Sequence, residues 1–370
     1  MIYKKIATLL LLVGLTQSAS YAAPASLQDA YRGAFYVGAA INAAQSTGTD
    51  KAGDAIVLRE FNTVSPENAL KWESIHPAPG RYDFSVTDKY VDFAVAHHMY
   101  TVGHVLVWHQ QTPDWVFQDA GKPVSRDVLL KRLHDHIFTV VGRYKGKIKS
   151  WDVVNEALND DGSLRPSPWL KIIGEEYIAI AFQYAHEADP AAELTYNDYT
   201  LEIPAKRAGA LALIKKLKAA GVPVTTVGMQ SHDTLSWPSA ADTDAAITDF
   251  GKLGVKVAIT ELDVDVLPRD PSLRGADITV KMAQSPALNP YAGGLSDLAE
   301  QQLASRYAEL FAIYYRHRAV VNRVTFWGVT DAGTWLNDWP IHGRTNYPLL
   351  FNRDGSAKIA YDAVMAVPKP

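Results

Sequence analysis

Eight short runs rich in β-branched and aromatic residues, each followed by a stretch of helical character, constrain this chain more than any other feature. They are YVGAAIN (36–42), FNTVSPEN (61–68), YTVGHVLVW (100–108), SWDVVNE (150–156), ELTYNDY (193–199), VTTVGMQSH (224–232), VKVAITELDV (255–264) and NRVTFWGVTD (322–331). Strands alternating with helices build a parallel sheet covered by helices. Eight such units in 370 residues predict an α/β fold, a single-domain (β/α)8 TIM barrel. An open doubly wound sheet would carry a Gly-rich phosphate turn after its first strand, and no GxGxxG is present. Amphipathic helices are expected at 168–189 and at 204–221, the second closed by Gly221 as a helix stop. One long excursion, at about 266–299, holds several prolines and glycines and reads as an enlarged loop after the seventh strand.

Residues 1–22, MIYKKIATLLLLVGLTQSASYA, combine two lysines, an apolar run and small residues at Ser20 and Ala22, the pattern of a secretory signal peptide. Residues 23–370 are then the barrel domain. The strictly apolar part falls well short of the ~20 residues that a membrane-spanning helix needs, so no membrane anchor is expected. The net charge of −4 becomes −6 once Lys4 and Lys5 are set aside, which courts neither nucleic acid nor an anionic bilayer. With no cysteine, the chain must be stable without disulfides, and a lipid attached through an N-terminal cysteine is chemically impossible. The expectation is a soluble, exported protein, periplasmic or extracellular. No Ser/Thr/Pro-rich linker or low-complexity tract marks an appended module. A monomer is expected.

Every one of the eight runs ends in polar chemistry: Asn42, Glu67 with Asn68, His104 with Trp108, Asn155 with Glu156, Asn197 with Asp198, Gln230 with His232, Glu261, and Trp327 ahead of Asp331. A barrel gathers its eight C-terminal strand ends on one face, where active sites of this fold are built. Glu156 ends one apolar strand and Glu261 ends another, VAIT. A lone glutamate there is more often structural. Two carboxyls facing one cleft with no metal cage suit glycosidic cleavage, one protonating the leaving oxygen and the other attacking or activating water.

Read in order, SPENALKWE, HVLVWHQQTPDWV, WDVVNEAL, GSLRPSPW, YNDYTLE, VGMQSHD, ITELDV and FWGVTDAGTWL resemble the motif series of glycoside hydrolase family 10, the barrel-type endo-β-1,4-xylanases. The similarity runs from about residue 36 to PLLFNRDGSAKIAYDAV near the C-terminus. It implies a retaining mechanism on xylan or xylo-oligosaccharides without cofactor, with Glu156 as acid/base and Glu261 as nucleophile. It gives Asn155 the sugar 2-hydroxyl, Glu67 and Asn68 contacts on the glycone side, and Lys71 and His104 the role of donors to sugar hydroxyls beside the cleavage point. His232, with Asp263 nearby, would orient the nucleophile. Gln230 and His232, two apart on a strand, would share a face. Tyr199 would serve the first sugar on the leaving-group side.

Trp108, Trp327 and Trp335 could be core aromatics, but each sits at or beyond a strand end among polar residues, where a flat face suits a pyranose. Trp335 and Gln111 resemble positions that line the glycone subsites, and their bulk would clash with the hydroxymethyl group that glucose has and xylose lacks. An ionised Glu261 nearby should hold the proton on Glu156 more tightly. His134 and His136 diverge on a helix, so no metal is expected. Two departures from the family pattern stand out. Gln110 replaces a small polar residue beside the glycone wall, and Thr200 replaces an asparagine on the leaving-group side. The rivals are a barrel-type β-1,4-glucanase or mannanase, which the same carboxylates would serve, and a catalytically silent polysaccharide-binding barrel, which would be expected to have lost one of them.

Overall fold

The computed structural model describes residues 25–269 and 277–367. The segment read as a signal peptide and residues 270–276 of the long excursion lie outside the described residues. Eight strands form the barrel: β1 Tyr36–Ile41, β2 Thr63–Pro66, β3 Tyr100–Val107, β4 Ser150–Asn155, β5 Glu193–Asp198, β6 Thr226–Met229, β7 Lys256–Asp265 and β8 Val321–Phe326. All pair in parallel with their neighbours in chain order, and β8 pairs with both β7 and β1, which closes the ring. These strands are buried almost throughout; β4, for instance, is buried at every position. That is why they read as continuous apolar runs instead of alternating ones.

One helix follows each strand on the outside: α1 Lys51–Glu60, α2 Ser85–Ala96, α3 Arg126–Arg143, α4 Tyr177–Ala188, α5 Pro204–Ala219, α6 Ala240–Lys252, α7 Asp297–Arg316 and α8 Ile359–Met365. In α3 the Ser125 hydroxyl caps the first turn by accepting from the Val128 amide, and Leu129, Leu133, Ile137, Val140 and Val141 form the stripe that faces the barrel. Gly221 does follow α5 with a left-handed backbone, φ 71°. The other expected helix is interrupted: 168–189 divides into Pro168–Ile173 and α4 at Gly174, whose φ of 101° an L side chain resists.

Two strands end differently from their sequence reading, and both differences bear on the site. After β6 the chain kinks at Ser231, φ 58°, and resumes as a separate short strand, His232–Thr234, paired with the end of β7. Gln230 and His232 therefore do not share one strand. β7 does not stop near Glu261 but runs on to Asp265, with its register against β8 slipping between Ile259 and Leu262. Glu261 sits in that irregularity, a device that re-aims a side chain.

The described part of the excursion after β7 folds back over the barrel mouth. It contains a 3-10 turn, Pro286–Leu288, and Met282 donates its amide to the Pro340 carbonyl at 2.9 Å. Among the described residues, no helix is long and apolar enough to cross a membrane.

Candidate active site

The C-terminal ends of the strands enclose a cleft of about 220 Å3. Glu67, Asn68, Lys71, His104, Trp108, Asn155, Glu156, Gln230, His232, Glu261, Trp327 and Trp335 all line it, joined by Ile278 from the long loop. Three of the expected residues are not in its lining. Asp263 is buried behind His232. Tyr199 is buried at the side, where its hydroxyl accepts from Arg165 at 2.5 Å. Gln111 lies outside this lining, its side-chain amide donating to Glu73 at 2.7 Å.

Glu156 is held with a left-handed backbone, φ 56°, one residue beyond β4, its amide donating to the Asn197 carbonyl at 2.9 Å. Its Oε2 accepts from the Trp108 indole at 2.8 Å, and its Oε1 from Gln230 at 3.1 Å and from Asn155 at 3.2 Å. Burial pushes its pKa up to about 7, the Asp198 charge adds to this, and the Gln230 and Trp108 hydrogen bonds oppose it. The Glu261 charge raises it least, so the expected direction holds but the expected cause is a minor one. A carboxyl in this state keeps its proton near neutrality.

Glu261 is arranged for the opposite outcome. Its Oε1 accepts from Asn197 at 2.8 Å, and its Oε2 lies 3.2 Å from Nε2 of His232. Burial is the largest influence and favours protonation, but the His232 hydrogen bond, the charges of His104 and His232 and the Asn197 bond together hold the carboxyl below its ordinary value. His232 Nδ1 lies 3.0 Å from Oδ1 of Asp263. Burial alone would discharge this imidazole; Asp263 first and Glu261 second reverse that and carry its pKa up to about 10, which favours a cation paired by charge with Asp263 and donating to Glu261. Asp263 is fixed in turn by the Trp335 indole, which donates to its Oδ2 at 2.8 Å.

Two amides connect the pair. The Asn197 side chain donates both to Glu261 and, at 3.0 Å, to Oδ1 of Asn155, while the Asn155 side chain donates to Glu156. Thr260 orients Asn197 by donating to its Oδ1 at 2.7 Å. Around them, Lys71 donates to Asn68 at 2.8 Å and lies 5.2 Å from the Trp108 ring centre. His104 Nδ1 is 2.9 Å from Oδ2 of Asp152, and its ring meets Trp327 edge-on. Trp335 stacks on Trp339 with ring centres 4.6 Å apart.

Sequence reading missed three contributors. Asn197 stands among the polar strand ends, but nothing in one dimension shows that it bridges to Glu261. Asp152 carried a signal, a lone acid inside the apolar run WDVV, whose partner His104 lies on the neighbouring strand. Ile278 comes from an irregular loop and carried none. His134 and His136 do point apart on α3: His134 is half-buried, while His136 is buried with its Nδ1 3.3 Å from Nδ1 of His76. No group of three or more His, Cys, Asp or Glu side chains poised to hold a metal occurs among the described residues.

The site thus contains one carboxyl biased toward its acid form and one held as the anion, linked through amides in a cleft open to a sugar-sized ligand, the pairing that acid/base and nucleophilic roles require. Comparison with known proteins points the same way. The model of "Glycosyl hydrolase family 10" matches residues 26–367. The chain is 46% identical over 334 residues to endo-1,4-beta-xylanase A of Xylanibacter ruminicola, covering 90% of each, and 44% identical to a beta-1,4-xylanase of Dictyoglomus thermophilum, covering 91% of this chain and 89% of that one. Among solved structures it is similar to a GH10 endoxylanase retrieved from sugarcane soil metagenome, with a TM-score of 0.90 at 45% identity, covering 92% of this chain and all of the other.

Proposed function

This chain belongs to glycosyl hydrolase family 10, and from that premise we propose that it is a retaining endo-β-1,4-xylanase in which Glu261 attacks the anomeric carbon while Glu156 protonates the departing oxygen. A covalent glycosyl-enzyme forms on Glu261. Glu156, now ionised, then takes a proton from the water that releases the sugar. The observation that carries this assignment is the opposite bias of the two buried carboxyls: Glu156 is raised to about 7, whereas Glu261 is held below its ordinary value with two donors on it.

The remaining residues take roles that their positions support. Asn155, placed between the two carboxyls, faces the sugar 2-hydroxyl. Glu67, Asn68, Lys71 and His104 bind the glycone side, with Trp327 and Trp335 as apolar faces and Trp108 beside the acid/base. His232 and Asp263 aim the nucleophile. Bulk at Trp335 disfavours the hydroxymethyl group of a glucose unit. Export belongs to the same reading, supported by the lysines and apolar run of residues 1–22.

Sizing the products from xylan, carboxymethylcellulose and mannan, and following the anomeric configuration of the first product by NMR, tests it. The proposal expects internal cleavage of xylan with β-configured products. Faster cleavage of cellulose or mannan, or initial α-products, would overturn it.

A further inference from the structure

A second cavity, of about 520 Å3, opens beside the catalytic cleft and shares two residues with it, Glu67 and Asn68 just beyond β2. Its other walls come from residues 42–44 beyond β1, from Ser74, from the start of the outer helix α2 and from Gly333 of the β8 loop. That volume falls within the roughly 300–1,000 Å3 of small-molecule pockets. Because α2 belongs to the outer layer, the cavity extends sideways between the β1 and β2 loops. A sugar held by Glu67 and Asn68 therefore borders both spaces.

The two spaces differ in kind. Trp108, Trp327 and Trp335 give the catalytic cleft flat faces for a chain of pyranoses, whereas no aromatic side chain among the described residues lines the second cavity. Alanines at 43, 44 and 69 leave it room. Asn42 offers it a donor: its Oδ1 is taken by the Ala44 amide at 2.9 Å and the Gln45 amide at 3.2 Å, and its Nδ2 remains. The charge is one-sided. Asp83 accepts from the Ser85 amide at 3.0 Å; the Ser85 side chain and amide, with the charge of Arg81 as a lesser influence, hold its carboxyl below its ordinary value. Glu67 is a second carboxyl in the lining, and neither nearby cation is part of it: Lys71 lines the catalytic cleft and Arg81 lies outside both.

Resting on the xylanase reading above, we propose that this cavity receives a neutral pentosyl branch, such as an arabinofuranosyl group, carried by the xylose unit bound at Glu67 and Asn68, and that its carboxylates turn away a uronic acid branch. A continuing backbone sugar gains from an aromatic face, which the cavity lacks; a branch needs room and partners for its hydroxyls, which it has. A uronic acid would bring its own carboxylate against Asp83 and Glu67. The cavity thus selects which substitution pattern enters the cleft and takes no part in bond cleavage.

The test compares kcat/KM on arabinoxylan, glucuronoxylan and unbranched xylohexaose in the wild type, Gly333→Phe and Asp83→Lys. A Cβ on Gly333 meets nothing closer than Nδ2 of Asn42 at 3.9 Å, so the phenylalanine fills the cavity from its rim. The proposal expects Gly333→Phe to lower the arabinoxylan value roughly three- to tenfold and leave xylohexaose unchanged. Asp83→Lys should raise the glucuronoxylan-to-arabinoxylan ratio by a similar factor, as reversing one charge near a surface allows. Asp83→Asn, which keeps an acceptor for the Ser85 amide, should raise it by less. In the wild type the preference for arabinoxylan should shrink with added salt. Equal losses on arabinoxylan and xylohexaose in Gly333→Phe would make the cavity a place for the next backbone sugar and overturn the branch. A ratio unmoved by Asp83→Lys overturns the exclusion of uronic acids, and both results leave the xylanase reading standing. A wild-type enzyme that cleaves none of the three substrates overturns the xylanase reading and the role of the cavity with it.

Discussion

Glu156 and Glu261 differ in chemistry because they differ in donors, and each donor makes a prediction. The Trp108 indole stabilises the ionised form of Glu156. Trp108→Phe should therefore raise the pKa of Glu156 and move the basic limb of the kcat/KM profile to higher pH, from its expected place near 7; a limb that stays or falls contradicts the assignment. The sign reverses at the other carboxyl. His232 is the cation that stabilises the Glu261 anion, so His232→Asn should shift the acid limb to higher pH and lower kcat. In Glu156→Ala, cleavage of natural xylan should fall by about a hundred- to ten-thousandfold, while an aryl xyloside with a good leaving group still glycosylates Glu261 and added azide restores turnover. Equal losses on natural and activated substrates would remove Glu156 from the acid/base role. Much of this was legible in the residues. A carboxyl after an apolar strand has few bland uses once a second one shares its face. The leading cause of the Glu156 shift was not legible, since burial and the position of Asp198 exist only in the folded barrel.

At the level of elements, the strands were legible because parallel barrel strands are buried on both faces and so leave unbroken apolar runs. Kinks were not. Gly174 in SPWLKIIGEEY is the same kind of signal as Gly221, but a glycine inside a helical pattern does not by itself say whether the helix ends, and the slip of β7 against β8 at Glu261 belongs to a pairing that one strand's sequence does not show. The contact of Gln111 with Glu73 was not legible either, because Glu73 lies 38 residues earlier, in the short helix Trp72–Ile75. The packing of β5, β6 and β7 under the nucleophile yields a further prediction. A Cβ on Gly228 of β6 would lie 2.3 Å from Oδ1 of Asn197 and 2.9 Å from Cγ2 of Thr260, displacing the amide that holds Glu261. Gly228→Ala should lower kcat by roughly a hundredfold, the scale of a 1 Å misplacement, while far-ultraviolet circular dichroism stays native. Unaltered kcat in a folded variant would mean that Asn197 does not position the nucleophile.

Over the whole molecule, one set of strand ends supplies the chemistry, and buried polar pairs elsewhere hold the loops that complete it. Asp331, among the polar strand ends in sequence, is buried away from the cleft, with Lys358 Nζ 2.5 Å from its Oδ2 and the Leu349 amide on its Oδ1. Lys358 also donates to the Tyr347 and Leu349 carbonyls, tying the segment before α8 to the loop that carries Trp335. Lys358→Met leaves Asp331 buried without its cation and should cost about 3–5 kcal/mol of stability, read as a lower denaturation midpoint; an unchanged midpoint would show that the pair does not hold this loop. The central claim, that Glu261 is the nucleophile of a retaining enzyme, is tested most directly by incubating the protein with a 2-deoxy-2-fluoro-β-xylobioside bearing a dinitrophenyl leaving group and mapping the labelled peptide by mass spectrometry. One fluoroxylobiosyl group on Glu261 is predicted in the wild type and in Glu156→Ala, and none in Glu261→Gln. Label on another carboxylate, or no covalent adduct in an enzyme that turns over xylan, would contradict the account.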